Sequence, residues 1–261
     1  MKEVLRPSTL GKLPIRSTAE PSLMSAVIYG HSGVGKTVLI GSAAEVEEMS
    51  PVLIIDTEQG TMSLTGRYNS DNIDVVTVTS YQDYADIHNA IRTGAARYKT
   101  VIIDSISEMA MLGLEEIVSR QAAIAKSKGK EHDPEQPDQG DWYKNSLRVH
   151  KVIRFFRGLP CHTFFVALEY LDVSRPTKPM FQPSLNTKRL SGELPGAVDE
   201  VWYMYKKEDV TTKEVNRFIL TDASDKAMAK DRSQRLPLTM KNPDMQTIFD
   251  YYTGKKDKNN G

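Results

Sequence analysis

The chain predicts an α/β fold: a mostly parallel central sheet flanked by helices, with a late antiparallel pair of strands. Three observations lead there. Short apolar runs alternate with helical patterns from residue 23 onward, a glycine-rich stretch stands between the first such run and a helical segment, and two later apolar runs end in carboxylates.

Taken in order, residues 1–21 are rich in proline, serine and charge and are expected as an extended lead-in. One domain is expected over 22–252, since 261 residues suffice for a single large α/β core. Its candidate strands are 24–29, 51–57, 73–79, 99–104 and 162–169. The segment "KTVLIGSAAEVEEM" (36–49) follows the glycine-rich stretch with helical character. Residues 105–124 place Ile106, Met109, Leu114, Ile117 and Val118 near one helical face, and 142–157 do the same with Val149, Val152, Ile153 and Phe156. Between those helices, 126–141 lacks apolar residues and reads as a mobile loop. A second irregular stretch is expected over 170–198. Then "VWYMYKKE" and "EVNRFILTD" read as two strands joined by a polar turn near Val210–Lys213, and 253–261 as a disordered tail.

Lysine plus arginine and aspartate plus glutamate both number 34, so any surface for a polyanion must be local rather than global. The single Cys161 excludes an internal disulfide framework and fits a reducing cytoplasm; its expected place is a small core position entering a strand. Neither a signal-peptide core nor a run near the roughly 18 apolar residues of a membrane span occurs. The expectation is a cytoplasmic protein.

"GHSGVGKT" (30–37) matches G-x-x-x-x-G-K-[ST] directly after an apolar strand and before a helical segment. Gly30, His31, Ser32, Gly33, Val34, Gly35, Lys36 and Thr37 would wrap backbone N–H groups around phosphate oxygens, with glycines allowing close approach. Lys36 would supply a point charge to the β- and γ-phosphates, and Thr37 a hydroxyl to Mg²⁺. Asp104, ending "TVIID", is the expected metal-supporting acid; capping of the next helix is its other reading. The place after Asp104, where many ATPases carry their water-activating glutamate, holds Ser105. Glu58 in "LIIDTEQGT" is therefore the candidate for orienting water, with Asp56 either pointing the same way or bracing the strand end. "DTEQG" is one residue too long for the D-x-x-G switch of GTPases and no N-K-x-D occurs, which disfavours GTP. A small-molecule kinase stays open.

With Glu58 on one strand end and Asp104-Ser105 on another, residues 22–240 resemble the RecA/RadA-type recombinase core. Within it, the likeness is to the short phage-encoded nucleotide-binding and single-strand annealing ATPases. "IDTE" and "IIDS" match that family's water-polarising and metal strands. The resemblance implies that Glu169, ending "TFFVALE", is the γ-phosphate sensor, where RecA has glutamine. "MAKDRSQRLP" (228–237) is similar to the paired cations of RadA and RecA, which implies that Lys230 and Arg232 reach a neighbour's ATP in a ring or filament. It also implies two DNA-binding loops, here 126–141 and 170–198. The second contains Arg175, Lys178, Lys188 and Arg189, with Tyr170 and Phe181 as stacking partners, the composition that tolerant single-strand binding needs. The function expected is Mg²⁺-dependent ATP hydrolysis coupled to single-stranded DNA in phage recombination or annealing. An ATPase acting on a protein partner without DNA is the alternative.

Overall fold

The computed structural model describes residues 9–10, 13–14, 23–130, 133, 135–174 and 177–258. Of the expected lead-in over 1–21, Thr9–Leu10 and Leu13–Pro14 form a small antiparallel pair, and the remainder lies outside the described residues.

Ten strands form one sheet. β1 (Ser25–Gly30), β2 (Val52–Asp56), β3 (Ile73–Thr77), β4 (Thr100–Asp104) and β5 (His162–Asp172) are the five predicted strands. β6 (Met180–Pro183), β7 (Glu200–Glu208), β8 (Val215–Leu220), β9 (Lys230–Asp231) and β10 (Thr239–Lys241) follow. The order is β10-β8-β7-β1-β5-β4-β2-β3, with β9 paired to β7 and β6 to β5. From β7 through β3 every pairing is parallel, whereas β8, β9, β10 and β6 pair antiparallel. β5 is thus inserted between β1 and β4, and the carboxyl ends of the parallel strands meet along one edge.

Side-chain alternation explains how both faces are covered. Ala26, Ile28, Ile54, Ile102, Phe164 and Trp202 enter one core with Leu39, Ile40, Ile248 and Phe249. Val27, Tyr29, Ile55, Ile103 and Phe165 enter the other, under Met109, Val149, Ile153 and Phe156. The helices are α1 (Lys36–Gly41), α2 (Tyr81–Arg92), α3 (Ile106–Ser127), α4 (Gln139–Arg157), α5 (Lys188–Ala197) and α6 (Met245–Thr253). None is long and apolar enough to cross a membrane. Cys161 is buried at the entry to β5, as its size and polarity suggest.

Three sequence expectations change. Instead of running to residue 49, α1 stops at Gly41: the Ser42 hydroxyl donates to Leu39 O (2.6 Å) and that of Tyr68 to Val38 O (2.7 Å), taking carbonyls that a longer helix would use. The stretch 170–198 is largely regular. β5 continues to Asp172 and turns back as β6, and α5 follows with Thr187 as its cap. Of the expected tail, residues 254–258 lie beyond α6; Lys255 reaches Glu48 (2.7 Å) and Lys258 reaches Gln234 O (2.7 Å).

Glu200 begins β7 fully buried and opposite Asp231, and burial together with that neighbouring charge pushes its pKa from 4.5 up to about 8. An acid whose folded pKa is raised stabilises the fold when protonated in both states, and that contribution is lost as pH climbs through the folded value. Wild-type stability is therefore expected to fall between about pH 5 and 8, by an amount on the order of a few kcal/mol from this group. Glu200→Gln should flatten that slope in melts at pH 5 and 8.5; an unchanged slope would assign it to other groups.

Candidate functional site

The phosphate loop occupies the carboxyl end of β1. A Cβ on Gly30 would stand 2.1 Å from Met204 O on neighbouring β7, so the two backbones touch where only glycine fits. Gly35 has φ 109°, and a Cβ there would lie 2.9 Å from Arg217 Nε. Lys36 Nζ donates to Gly30 O (2.9 Å) and His31 O (3.0 Å). Burial lowers its pKa, opposed by the charges of Asp104, Glu58 and Glu169. Thr37 Oγ1 donates to Asp104 Oδ2 at 2.6 Å. His31 is exposed, its ring turned to Ser32 O.

Asp104 is 6 % exposed, and burial with the nearby charges of Glu58 and Asp56 raises its pKa to about 6 against the opposing Thr37 hydroxyl and Lys36. The two acids of "IDTE" divide their roles. Asp56 is buried and accepts from Glu58 N (3.1 Å), Gly60 N (3.3 Å) and the Thr61 hydroxyl (3.2 Å), which makes it the brace of the turn. Glu58 lies beyond the strand end, exposed, and accepts a hydrogen bond from the Ser105 hydroxyl. The residue that replaced an acid after Asp104 thus holds the acid supplied by β2. Ser105 also caps α3 through Glu108 N (3.2 Å).

Thr37 and Asp104 form the donor set a small hard cation requires, a hydroxyl and a carboxylate with room for water and phosphate oxygens. Among the described residues no group of three or more His, Cys, Asp or Glu builds a closed metal cage. The arrangement suits a cation shared with a phosphate.

A cleft of about 290 Å³ opens beside the loop, lined by His31, Ser32, Val34, Glu169, Tyr203, Met204, Tyr205 and Lys206. Glu169 Oε2 is buried without a hydrogen-bond partner. Two cations that sequence reasoning missed hold the loop: Lys206 Nζ donates to Gly33 O (2.7 Å) and Arg217 Nε to Val34 O (3.0 Å). The alternation in "WYMYKK" puts Met204 and Lys206 on one face and Tyr203 and Tyr205 on the other, but that β7 lies alongside β1 is a matter of topology.

Other predicted residues lie apart. Lys230 and Arg232 flank the start of β7, the end of the sheet opposite the phosphate loop. Lys230 Nζ donates to Val198 O (2.8 Å) beyond α5, and Arg232 Nη1 pairs with Asp199 (2.5 Å). Lys188 faces Asp172 (3.6 Å) and Arg189 faces Glu193 (2.7 Å), so each carries a carboxylate of its own. Lys178 is exposed between β5 and β6, and Arg175 lies outside the described residues.

A protein-family model described as an AAA domain matches residues 23–233. Among solved structures, the chain is similar to a KaiC-like protein, PH0186, from the hyperthermophilic archaeon Pyrococcus horikoshii OT3. There, 13 % identity and a TM-score of 0.43 extend over 76 % of this chain and 77 % of that one. It is also similar to the RadB recombinase (14 % identity, TM-score 0.44, 76 % and 79 % covered). A third likeness is to an ATPase from the type III secretion system of pathogenic bacteria (12 % identity, TM-score 0.44, 70 % and 52 % covered). No curated protein matches the chain.

Proposed function

The chain belongs to the AAA-domain family and is a P-loop NTPase, and from that premise we propose that it hydrolyses ATP with Mg²⁺ in step with binding single-stranded DNA, in phage recombination or annealing. The observation that carries the hydrolytic part is the convergence of Lys36, Thr37, Asp104 and Glu58 at one edge of the sheet.

Each side chain has a task there. Lys36 rests on two loop carbonyls, and a triphosphate offers its ammonium oxygens of full charge in their place. Thr37 and Asp104 would hold Mg²⁺, which when bound supplies positive charge to the phosphate oxygens. Glu58, kept in place by Ser105, orients the attacking water and accepts its proton. Glu169 stands on β5, between the loop's strand and Asp104's, and in this reading senses the terminal phosphate. Lys230 and Arg232 lie toward the opposite end of the sheet from this chain's own loop, and in this reading they serve the nucleotide of a second copy in a ring or filament.

Phosphate release measured with and without a single-stranded oligonucleotide tests the proposal. Release is expected to rise with DNA, to rise per chain with protein concentration, to weaken as salt increases, and to vanish in Lys36→Ala. A rate indifferent to DNA would favour an ATPase acting on a protein partner, and phosphate transfer to an added metabolite would favour a kinase.

A further inference from the structure

Four aromatic rings cross the late part of the sheet as a continuous ladder. Phe181 of β6 stacks on Tyr203 of β7 with ring centroids 5.4 Å apart and planes 13° from parallel. Tyr203 stacks on Tyr205 (5.6 Å, 23°), and Tyr205 on Phe218 of β8 (5.5 Å, 15°). The pairing sets Tyr205 directly opposite Phe218, so the ladder follows from register. All four rings are partly exposed. Lys207 Nζ hangs over the last two, 5.4 Å from the Tyr205 centroid and 5.6 Å from that of Phe218.

This combination is unusual for a surface with only water to meet. Aliphatic partners gain nothing special from near-parallel rings, whereas flat π-faces do. A polymer that brings flat faces and negative charge together is a single-stranded nucleic acid, whose bases stack on aromatic residues while its phosphates meet cations. Aromatic residues on adjacent strands of an open sheet face serve this purpose in known single-strand readers. The cations on α5 are a weaker platform, because Asp172 and Glu193 already neutralise them. At the hairpin tip Glu208 is likewise held by Lys213 (3.5 Å), leaving the Lys207 charge over the rings.

We propose that Phe181, Tyr203, Tyr205 and Phe218, with Lys207, form the base-stacking platform for single-stranded DNA. The proposal rests on the reading of the chain as a DNA-coupled ATPase and moves the strand from the start of α5 to the face of β7 and β8. It also supplies the coupling. Tyr203 and Tyr205 belong both to the ladder and to the cleft beside His31 and Ser32, while Lys206, next along the strand and on the other face, holds Gly33 O of the loop. A strand lying on the rings therefore bears on the same β7 segment that grips the phosphate loop.

The test is fluorescence anisotropy of a labelled oligothymidine with the full chain. Tyr205→Ala and Phe218→Ala should each weaken binding by roughly 5- to 150-fold, the worth of one stacked base. Tyr205→Phe should keep affinity within about twofold, because the π-face survives. Lys207→Gln, an exposed change that leaves the fold alone, should lower the slope of log affinity against log salt by about one. Photocrosslinking of wild-type protein to an iodouracil-substituted oligonucleotide should label peptides containing residues 200–208 or 215–220. Tight wild-type binding that these substitutions do not weaken, or crosslinks confined to α5, would overturn the platform and leave the DNA-coupled reading standing. Absence of any strand binding by the wild type would remove that reading itself. Substitutions that change oligomer size but not strand affinity would show that a second copy covers the rings, and would also overturn the proposal.

Discussion

Glu58→Gln is expected to lower turnover by roughly 10²- to 10⁴-fold, the usual share of a positioned general base, while nucleotide affinity stays within about threefold of wild type. The split follows from the geometry. The Glu58 carboxylate accepts its hydrogen bond from Ser105, the cap of α3, and bears on Lys36 of the phosphate loop only through its charge. An amide keeps shape and can still accept from that hydroxyl, but it has lost the basicity to take a proton from water. Single-turnover phosphate release alongside titration with a fluorescent nucleotide separates the two effects. Normal turnover would remove Glu58 from the chemistry, and loss of binding together with turnover would make it a structural group instead.

Gly30→Ala should be the most damaging glycine-to-alanine change among the described residues. The added carbon would stand 2.1 Å from a backbone oxygen of β7, and no rotamer change relieves a clash with a carbonyl. Either β7 separates from β1 or the loop shifts, and both displace Lys36 from the strand end. Overpacking of this kind costs about 1–3 kcal/mol or more; nucleotide affinity should fall, and phosphate release should drop by roughly 100-fold, the rate cost of a misplacement near 1 Å in a preorganised site. Gly33→Ala is the control: a Cβ there meets nothing within 4 Å, and only its φ of 70° carries strain. Melting temperature and nucleotide titration on both variants check the contrast, and equal behaviour would show that the β1–β7 contact does not set the loop.

The parallel strands and the phosphate loop were legible because each is a local pattern, an apolar run with its punctuation. The carboxylates of Asp104 and Asp56 were legible for the same reason, each closing such a run, with Glu58 two residues beyond. α5 was not. Thr187 with Leu190, Leu194 and Ala197 at helical spacing announces a helix, but Gly192, Pro195 and Gly196 argue locally against one, and packing against α4 prevails. The division of labour between Asp56 and Glu58 was half visible: the sequence suggested a brace, and the turn geometry assigned it to Asp56. Least visible were Lys206, Arg217 and the aromatic ladder, because their meaning depends on which strands lie side by side, and β7 adjoins β1 after a separation of about 170 residues.

The insertion of β5 between β1 and β4 has a mechanical side. That strand is bonded along both edges, then runs past its neighbours to carry the β6 hairpin outward. A load on the hairpin cannot be borne by one neighbour alone: it is shared at once by the strand that launches the phosphate loop and the one that ends in Asp104. Whatever grips the outer ribbon thereby pulls on both walls of the phosphate site, with Glu169 mounted where β5 leaves its neighbours to pair with β6.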